Sequence, residues 1–256
     1  MRNYKLLFLF LTILIVSCSS DNDNLSTKKN VDKLYKKSIE FTEDTITGIT
    51  EYFYNEDAKI DSISIEYIGE LKECYKVSYS DKRIINITVS TNYKDSKWNE
   101  FINYNHISFS KNLITLESEK FNEIIEIYHT EKYIDSTKQY NSEYPENVSD
   151  QVFTRNSKNQ LISSTDGRYR FEYSNFDSNK KLDPYGGVIE YELGHILDIF
   201  GLIVTKDNPL TGYYDFNETG TYPAYFEYDE QGYVVKVFYD ETNSNKDYVI
   251  HEYIEK

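Results

Sequence analysis

The chain has 256 residues, which is enough for one large domain or two small ones with a substantial core. Its 43 acidic residues against 28 basic ones give a net charge of -15 without any basic stripe, so nucleic-acid binding is disfavoured. Two cysteines, Cys18 and Cys74, are too few for a cysteine-rich metal site, and neither belongs to a C-x-x-C redox pair. Tyrosine is abundant at 26 residues and proline is scarce at four, and both counts favour β-strands.

Residues 1–17 have the features of a signal peptide. Arg2 and Lys5 charge its start, Leu6–Val16 is almost wholly apolar, and Ser17 is a small residue at its end. The apolar run is much shorter than the roughly 20 residues with which a helix crosses a bilayer, so a permanent span is not expected. Cys18 is then either the last residue of an ordinary signal peptide or the first residue of a lipidated mature chain.

Residues Ile15–Cys18 resemble the bacterial lipobox, and this resemblance implies that Cys18 is acylated and anchors the chain to a membrane. Ser19 follows the cysteine where an aspartate would imply retention at the inner membrane, so the resemblance implies release to the outer membrane. The polar stretch Ser20–Asn24 is similar to the acidic tether of surface-displayed lipoproteins of Bacteroidetes-type bacteria. We expect residues 18–30 to form a flexible tether and the domain to face the cell surface, with the periplasmic face as the alternative.

Residues 31–256 are predicted to form one β-rich domain. Strand-like runs with period-two alternation begin at Lys33 and continue to Ile254, and most of them are joined by short polar turns. Short connections make consecutive strands antiparallel neighbours. The fold class is therefore all-β, an antiparallel meander of β-hairpins that forms a large twisted sheet. Cys74 falls in one of the strands and is expected to be a buried, inert thiol, since a lipidated Cys18 leaves it no disulfide partner.

The clearest hairpin lies in Tyr222–Tyr239. Asp229 begins its turn and Gly232 ends it, and this spacing predicts a type I turn closed by a bulge, with positive φ at the glycine. Two upstream stretches repeat the unit, Tyr54–Ala58 closely and Arg155–Leu161 more loosely, the latter with Asn159 at the glycine position.

Two segments depart from the strand pattern. Asp183 and Pro184 can start a helix that carries an apolar face and ends at Gly201, although an irregular apolar excursion that plugs one end of the sheet is an alternative. Asp95–Tyr104 is a second, weaker helix candidate. We expect one short helix, near residues 184 to 200.

Four stretches carry a resemblance to a known group of proteins: Gly167–Tyr173, Asp177–Tyr185, Thr205–Pro209 and Phe226–Tyr233. They resemble Bacteroidetes-type lipoproteins of unknown function, whose hairpins are similar to the YD repeats of Rhs-type proteins. The resemblance covers roughly residues 33 to 254. It implies a secreted, β-rich lipoprotein and brings no catalytic residues with it.

The sequence contains no complete catalytic or metal-binding motif among those considered below. The four histidines, His106, His129, His195 and His251, lack metal-site spacing and are expected to be structural or exposed. No G-x-S-x-G motif occurs, which argues against a serine hydrolase of the common α/β type. Asp215, Asn217 and Gly220 match part of a calcium loop, but Phe226 stands where its bidentate glutamate belongs. We therefore predict no catalytic residue, no cofactor and no metal ligand, with a looser calcium site at the acidic loops as the alternative.

Tyrosine is the residue type with a plausible binding role. An exposed ring offers a flat apolar face and a polar tip, which suits glycans or protein partners, although at least half of the tyrosines are expected only to stabilise the sheet. The leading hypothesis is a monomeric, non-enzymatic surface lipoprotein with a binding or structural role, held to the membrane through Cys18. The alternative is a secreted hydrolase that acts on glycans through two carboxylates, one with a raised pKa. An inhibitor or immunity-like protein is a third hypothesis.

Overall fold

The computed structural model describes residues 33–94, 97–166, 170–177, 191–215, 219–238 and 247–256. The predicted signal peptide, Cys18 and the tether lie outside the described residues. In the described part of the chain, no helix combines the length and the apolar character needed to span a membrane.

The described strands form two antiparallel sheets of nine strands each, and neighbours in a sheet are consecutive along the chain except for the pair β18 and β1. The first sheet contains β1 (Lys33–Thr42), β2 (Thr45–Tyr54), β3 (Ile60–Tyr67), β4 (Leu71–Ser80), β5 (Arg83–Tyr93), β6 (Asn99–Tyr104), β16 (Tyr225–Tyr228), β17 (Val234–Phe238) and β18 (Tyr248–Glu255). The second contains β7 (His106–Phe109), β8 (Leu113–Ser118), β9 (Glu123–Thr130), β10 (Tyr133–Asn141), β11 (Tyr144–Arg155), β12 (Leu161–Thr165), β13 (Arg170–Asp177), β14 (Asn208–Asp215) and β15 (Thr219–Pro223). The prediction of an all-β antiparallel meander is confirmed.

The meander divides into two sheets at two single residues. Asn105 separates β6 from β7, and Ala224 separates β15 from β16, so the chain passes from one sheet to the other at these points. Within the first sheet the last strand, β18, pairs with the first strand, β1, with Ser38 opposite His251. This long-range pair brings the two ends of the described chain side by side.

The turn between β16 and β17 has the predicted geometry. Gly232 has a φ of 83°, and its N–H donates to the carbonyl of Asp229 over 3.0 Å. The Asp229 carboxylate accepts the N–H groups of Gln231 and Tyr233, each over 2.9 Å. The aspartate therefore holds the turn and the glycine supplies the left-handed backbone.

A bulge follows the turn and decides which side chains point inward. The register shifts between Glu227 and Tyr228, so Val234 and Val237, three residues apart, are both buried. Strict alternation along β17, which the sequence suggested, is interrupted because a bulge places two residues of one strand opposite one residue of its partner.

The two upstream copies use the same turn with different residues at the left-handed position. Asn55 and Asn156 take the place of the aspartate, and each accepts two backbone N–H groups on its side-chain oxygen. Ala58 has a φ of 57° and Asn159 a φ of 62°. All three hairpins also shift register at the same place, just before the turn.

The described helix, α1 (Tyr191–Phe200), ends at Gly201 as predicted. Gly201 has a φ of 66°, its N–H donates to Asp198 O over 2.9 Å, and the Leu202 N–H donates to Leu197 O over 3.1 Å. These two bonds form a Schellman motif, which ends a helix by satisfying its last carbonyls. The predicted start at Asp183 and Pro184 lies outside the described residues.

The second helix candidate is wrong where it is described. Asn99–Tyr104 forms β6, which pairs with β5 and places Tyr104 opposite Ile87. Tyr104 is buried in the core, and the pairing satisfies the backbone of a segment whose helical propensity is weak.

One hydrophobic core joins the inward faces of both sheets to α1. Its most deeply buried members are Ile63, Tyr75, Ile87, Leu116, Ile125, Ile127, Ile134, Leu161 and Leu197. The segment after the helix is fixed by Ile203, whose backbone exchanges hydrogen bonds with Lys132 and Ile134 at 2.9 and 3.0 Å. The helix is therefore held against the inner face of the sheets.

Candidate functional site

The four histidines lie in different parts of the structure. His106 is exposed and its Nε2 lies 2.7 Å from Glu119 Oε1, while His129 is half-buried on β9. His195 and His251 are buried in the interior. No group of three metal-binding side chains occurs among the described residues.

Two other candidates from the sequence are Cys74 and the calcium-like loop that begins at Asp215. Cys74 is half-buried, which differs from the buried thiol expected, because it pairs with Ser64 and Ser90 on the outer face of the first sheet. Burial nonetheless raises the pKa of this thiol, so it is less reactive than an exposed one. The calcium-like loop falls partly on residues 216–218, which lie outside the description.

The outer face of the first sheet carries four neighbouring aromatic side chains, which we call the aromatic row: Tyr225, Phe238, Tyr248 and Phe41. Cross-strand pairing sets them side by side on β16, β17, β18 and β1 in that order. The rings of Phe41 and Tyr248 stack with centroids 4.5 Å apart and planes 16° apart. The rings of Phe238 and Tyr248 are 6.1 Å apart.

Alternation along the strands places the row on the outside. Val237 directly precedes Phe238, and Val249 directly follows Tyr248. Both valines are buried in the interior. Tyr225 is 44% exposed, which makes it the most open ring of the row. Three interstrand spacings separate its ends, so the row extends about 14 Å across the sheet.

Charged residues border the row on both sides. Lys236 lies on the same face, with its Nζ 4.4 Å from the Phe238 ring centroid and 3.9 Å from that of Tyr248. Exposed Glu227 is paired with Lys236 across the strands. Beyond the other border, the β1–β2 turn carries Glu43, whose N–H donates to Asp247 Oδ1 over 3.1 Å. The row is thus an apolar strip between polar margins.

The opposite, inner face of the same sheet holds a buried polar cluster against α1. The Tyr52 hydroxyl donates to Asp198 Oδ2 over 2.7 Å and lies 3.4 Å from His195 Nδ1. The Tyr75 ring is 5.5 Å from the His195 ring. In the part of the chain that the structure describes, nothing hydrogen-bonds to His195 Nε2.

Burial raises the pKa of Asp198 in this cluster and lowers that of His195. Desolvation raises the pKa of Asp198 to about 7, against the opposing effect of the hydrogen bond from Tyr52. Desolvation lowers the pKa of His195 to about 4. Burial, aided by the Asp198 charge, raises the pKa of Tyr54 to about 12. The cluster therefore favours neutral side chains.

The cluster continues along the inner face through Tyr35. The hydroxyl of Tyr35 lies 2.9 Å from His251 Nδ1, and its ring is 4.9 Å from the ring of Tyr52. Tyr54 donates its hydroxyl to the Tyr35 carbonyl over 2.5 Å. These bonds give the inner tyrosines protein partners, as a buried hydroxyl requires.

Sequence reasoning missed the aromatic row. The alternation within Tyr222–Tyr239 already placed Tyr225 with Glu227 and Lys236 with Phe238 on common faces. The missing information was the pairing of β18 with β1, which joins Tyr248 and Phe41 from distant parts of the chain. No local pattern encodes such a contact.

A scan against protein-family models finds no match, and a search of the curated proteins finds none either. Among solved structures, the chain is similar to a porin-like protein from Bacteroides vulgatus, with a TM-score of 0.47 and 13% identity over 87% of this chain and 99% of that one. It is also similar to a porin-like protein from Bacteroides uniformis, with a TM-score of 0.37 and 9% identity over 86% of this chain and 98% of that one. Likeness at these TM-scores does not bear on what this chain binds or does.

Proposed function

We propose that this protein is a lipid-anchored, non-catalytic binding protein of the outer membrane, and that the aromatic row is its binding face. The observation that carries the binding role is the contiguity of Tyr225, Phe238, Tyr248 and Phe41 on the outside of one sheet. Aromatic rings supply large contact areas at low conformational cost, which is why they dominate recognition surfaces.

The anchor rests on the sequence. The charged start, the short apolar run and the lipobox-like Ile15–Cys18 together favour acylation of Cys18. Ser19 and the acidic Ser20–Asn24 stretch favour the outer membrane and display at the cell surface, with the periplasmic face as the alternative.

The absence of catalysis is supported by the surroundings of Asp198. A glycan hydrolase that uses two carboxylates needs them about 5 to 10 Å apart across a cleft. Asp198 has the raised pKa of a general acid, but its hydrogen-bond partner is the Tyr52 hydroxyl on the inner face of the sheet. A carboxyl with this partner stabilises the packing of α1 against the sheet.

The anchor is tested by metabolic labelling of cells with an alkyne-bearing palmitate. The wild-type chain is expected to take up the label and to fractionate with the outer membrane, and Cys18→Ser is expected to lose both properties. Protease added to intact cells then distinguishes the two faces, because only a surface-displayed domain is digested. Equal labelling of Cys18→Ser and wild type would contradict the anchor.

The binding face is tested by photocrosslinking on the same cells. Benzoylphenylalanine placed at position 225 is expected to give crosslinked adducts with envelope or extracellular material. The same group at position 144 is the matched control, since Tyr144 is 55% exposed on β11 of the second sheet, away from the row. Equal adduct yields at the two positions would contradict the assignment of the row.

A further inference from the structure

We propose that the aromatic row binds a neutral glycan, whose sugar rings stack on the aromatic faces while its hydroxyl groups bond to the polar margins. This inference rests on the proposed function and names the partner class for the same face. Four observations favour a neutral glycan over the other occupants of such a strip.

Strand addition is excluded for three of the four strands that carry the row. β17, β18 and β1 are each hydrogen-bonded to a strand on both sides, so their backbone N–H and C=O groups are already used. A peptide that adds a strand requires an open sheet edge, and β16, which carries Tyr225, is the strand of the row that ends the described order of the sheet. Recognition at Phe238, Tyr248 and Phe41 therefore depends on side chains.

The charge around the row disfavours polyanions. Exposed Glu43, Asp44, Asp247 and Glu227 border it, and within the described ranges Lys236 is the cation in contact with its rings. The chain as a whole carries a net charge of -15. Nucleic acids, sulfated glycans and polyuronates would meet like charge on the approach to this face.

The apolar strip and its polar margins match the apolar face and the polar edge of a sugar ring. The C–H groups of a pyranose form a flat apolar face, and its hydroxyl groups point outward around the edge. Phe41 and Tyr248 stack on each other with centroids 4.5 Å apart, so each turns one ring face away from solvent, and the more exposed ring of Tyr225 offers the flat surface for a sugar. Carboxylates at the margins accept hydrogen bonds from hydroxyl groups, and such charge-assisted bonds are the stronger kind.

Lys236 has a defined part in this arrangement. Its ammonium rests on Tyr248 and Phe238 through cation–π contacts, which are weak enough at a partly exposed site to be displaced by a ligand. The displaced ammonium remains beside the row and donates to a hydroxyl group of the bound sugar. Tyr225 is the most exposed ring of the row, at 44%, and is the first ring that a glycan meets.

The test uses the mature, lipidated chain in a detergent without a sugar headgroup. Immobilised cellohexaose, xylohexaose, mannohexaose and maltohexaose serve as neutral probes, and oligogalacturonate and heparin oligosaccharides serve as anionic ones. We expect at least one neutral probe to bind, with an affinity that changes little between low and high salt, because stacking is not screened. Tyr248→Ala and Tyr225→Ala are expected to weaken that binding about ten-fold or more.

Two controls separate loss of the ring from loss of the fold. Tyr248→Phe keeps the ring and is expected to bind within about three-fold of wild type, since stacking does not need the hydroxyl group. Tyr144→Ala removes an exposed ring outside the row and is expected to leave the affinity for the neutral probe unchanged. Thermal melting of each variant verifies that the sheet is intact.

The outcomes distinguish this inference from the proposed function. Binding of anionic probes alone, with strong salt dependence, overturns the neutral glycan. Failure of every neutral probe also overturns it, and so does neutral binding that Tyr225→Ala and Tyr248→Ala leave unchanged. In each case the proposed function still stands if position 225 crosslinks above position 144, and falls if it does not.

Discussion

Tyr75 and Tyr248 belong to the same nine-stranded sheet and lie on its opposite faces. Tyr75 is 2% exposed, lies in the common core and packs its ring against His195 of α1. Tyr248 faces outward, stacked on Phe41 and covered by the ammonium of Lys236. One residue type thus fills the core on one face and lies on the outside of the sheet on the other.

The two faces differ most in their treatment of polar groups. On the inner face, hydroxyl groups are held by specific partners, as in the bond from Tyr52 to Asp198, and the pKa values of Asp198 and His195 are shifted by burial. On the outer face, charged groups stand beside the rings and keep their contact with water. Tyrosine content alone therefore does not indicate a binding surface, whereas the face on which the rings lie does.

The largest expected effect is the loss of an inner ring. Tyr75→Ala removes a fully buried aromatic side chain from the cluster against α1 and should destabilise the protein by about 3 to 5 kcal/mol, from lost transfer energy and the cavity left behind. Denaturant unfolding of the variant and wild type measures this difference. Tyr144→Ala, the exposed control, should stay within about 0.5 kcal/mol of wild type. A similar cost for both variants would remove the distinction between the faces.

The polar cluster predicts a pH dependence with two opposing parts. Because the pKa of Asp198 is raised in the folded state, its contribution to stability is present at acidic pH and is lost as pH rises through about 7. Because the pKa of His195 is lowered, its contribution is present above its ordinary pKa near 6.5 and is lost as pH falls through about 4. In the wild type the two slopes partly cancel between pH 4 and 7.

Two variants should expose these slopes separately. Asp198→Asn leaves the contribution of His195 to stability, so the free energy of unfolding should rise with pH between about 4 and 6.5. His195→Gln leaves the contribution of the Asp198 carboxyl, so the free energy of unfolding should fall as pH rises between about 4 and 7. Each change should amount to roughly 2 to 4 kcal/mol across its range. Parallel pH profiles for the two variants would show that the cluster does not titrate as described.

Much of the fold follows from local sequence. Alternation predicts the strands, the Asp229 and Gly232 spacing predicts a turn that is found in the expected geometry, and Gly201 marks the end of α1. These features are local because turn chemistry and backbone conformation act over a few residues. The same rule correctly identified the copy at Asn55 and Ala58 although it has no glycine.

The features that local sequence did not predict are long-range. The pairing of β18 with β1, the division of the meander into two sheets and the docking of α1 on Tyr52 all join residues that are distant along the chain. The weaker helix candidate at Asp95–Tyr104 failed for the same reason, since pairing with β5 overrides weak local propensity. The candidate site depends on such a contact and was therefore missed.

The turn at Gly232 fixes which side chains of β17 face the core and which face outward, and a variant can test this role. Gly232→Val places a β-branched side chain at a φ of 83° and should cost about 1 to 3 kcal/mol. A slip of one residue would exchange the faces of β17, moving Phe238 inward and Val237 outward. Thermal melting measures the cost, and an unchanged melting curve would refute the role of this turn. Ala58→Gly is the converse variant and should stabilise the equivalent hairpin by up to about 1 kcal/mol.

The smallest expected effect on stability belongs to the aromatic row. Tyr225→Ala removes a ring that is 44% exposed, so folding removes little of its apolar surface from water, and the free energy of unfolding should fall by about 1 kcal/mol or less. Denaturant unfolding measures this loss beside the glycan affinity of the same variant. If the row is a binding face, removal of its outer ring should lower affinity strongly and stability little. Removal of the inner ring of Tyr75 should mainly lower stability. If Tyr225→Ala instead destabilises the protein as much as Tyr75→Ala does, the row is part of the structural framework and the binding face must lie elsewhere.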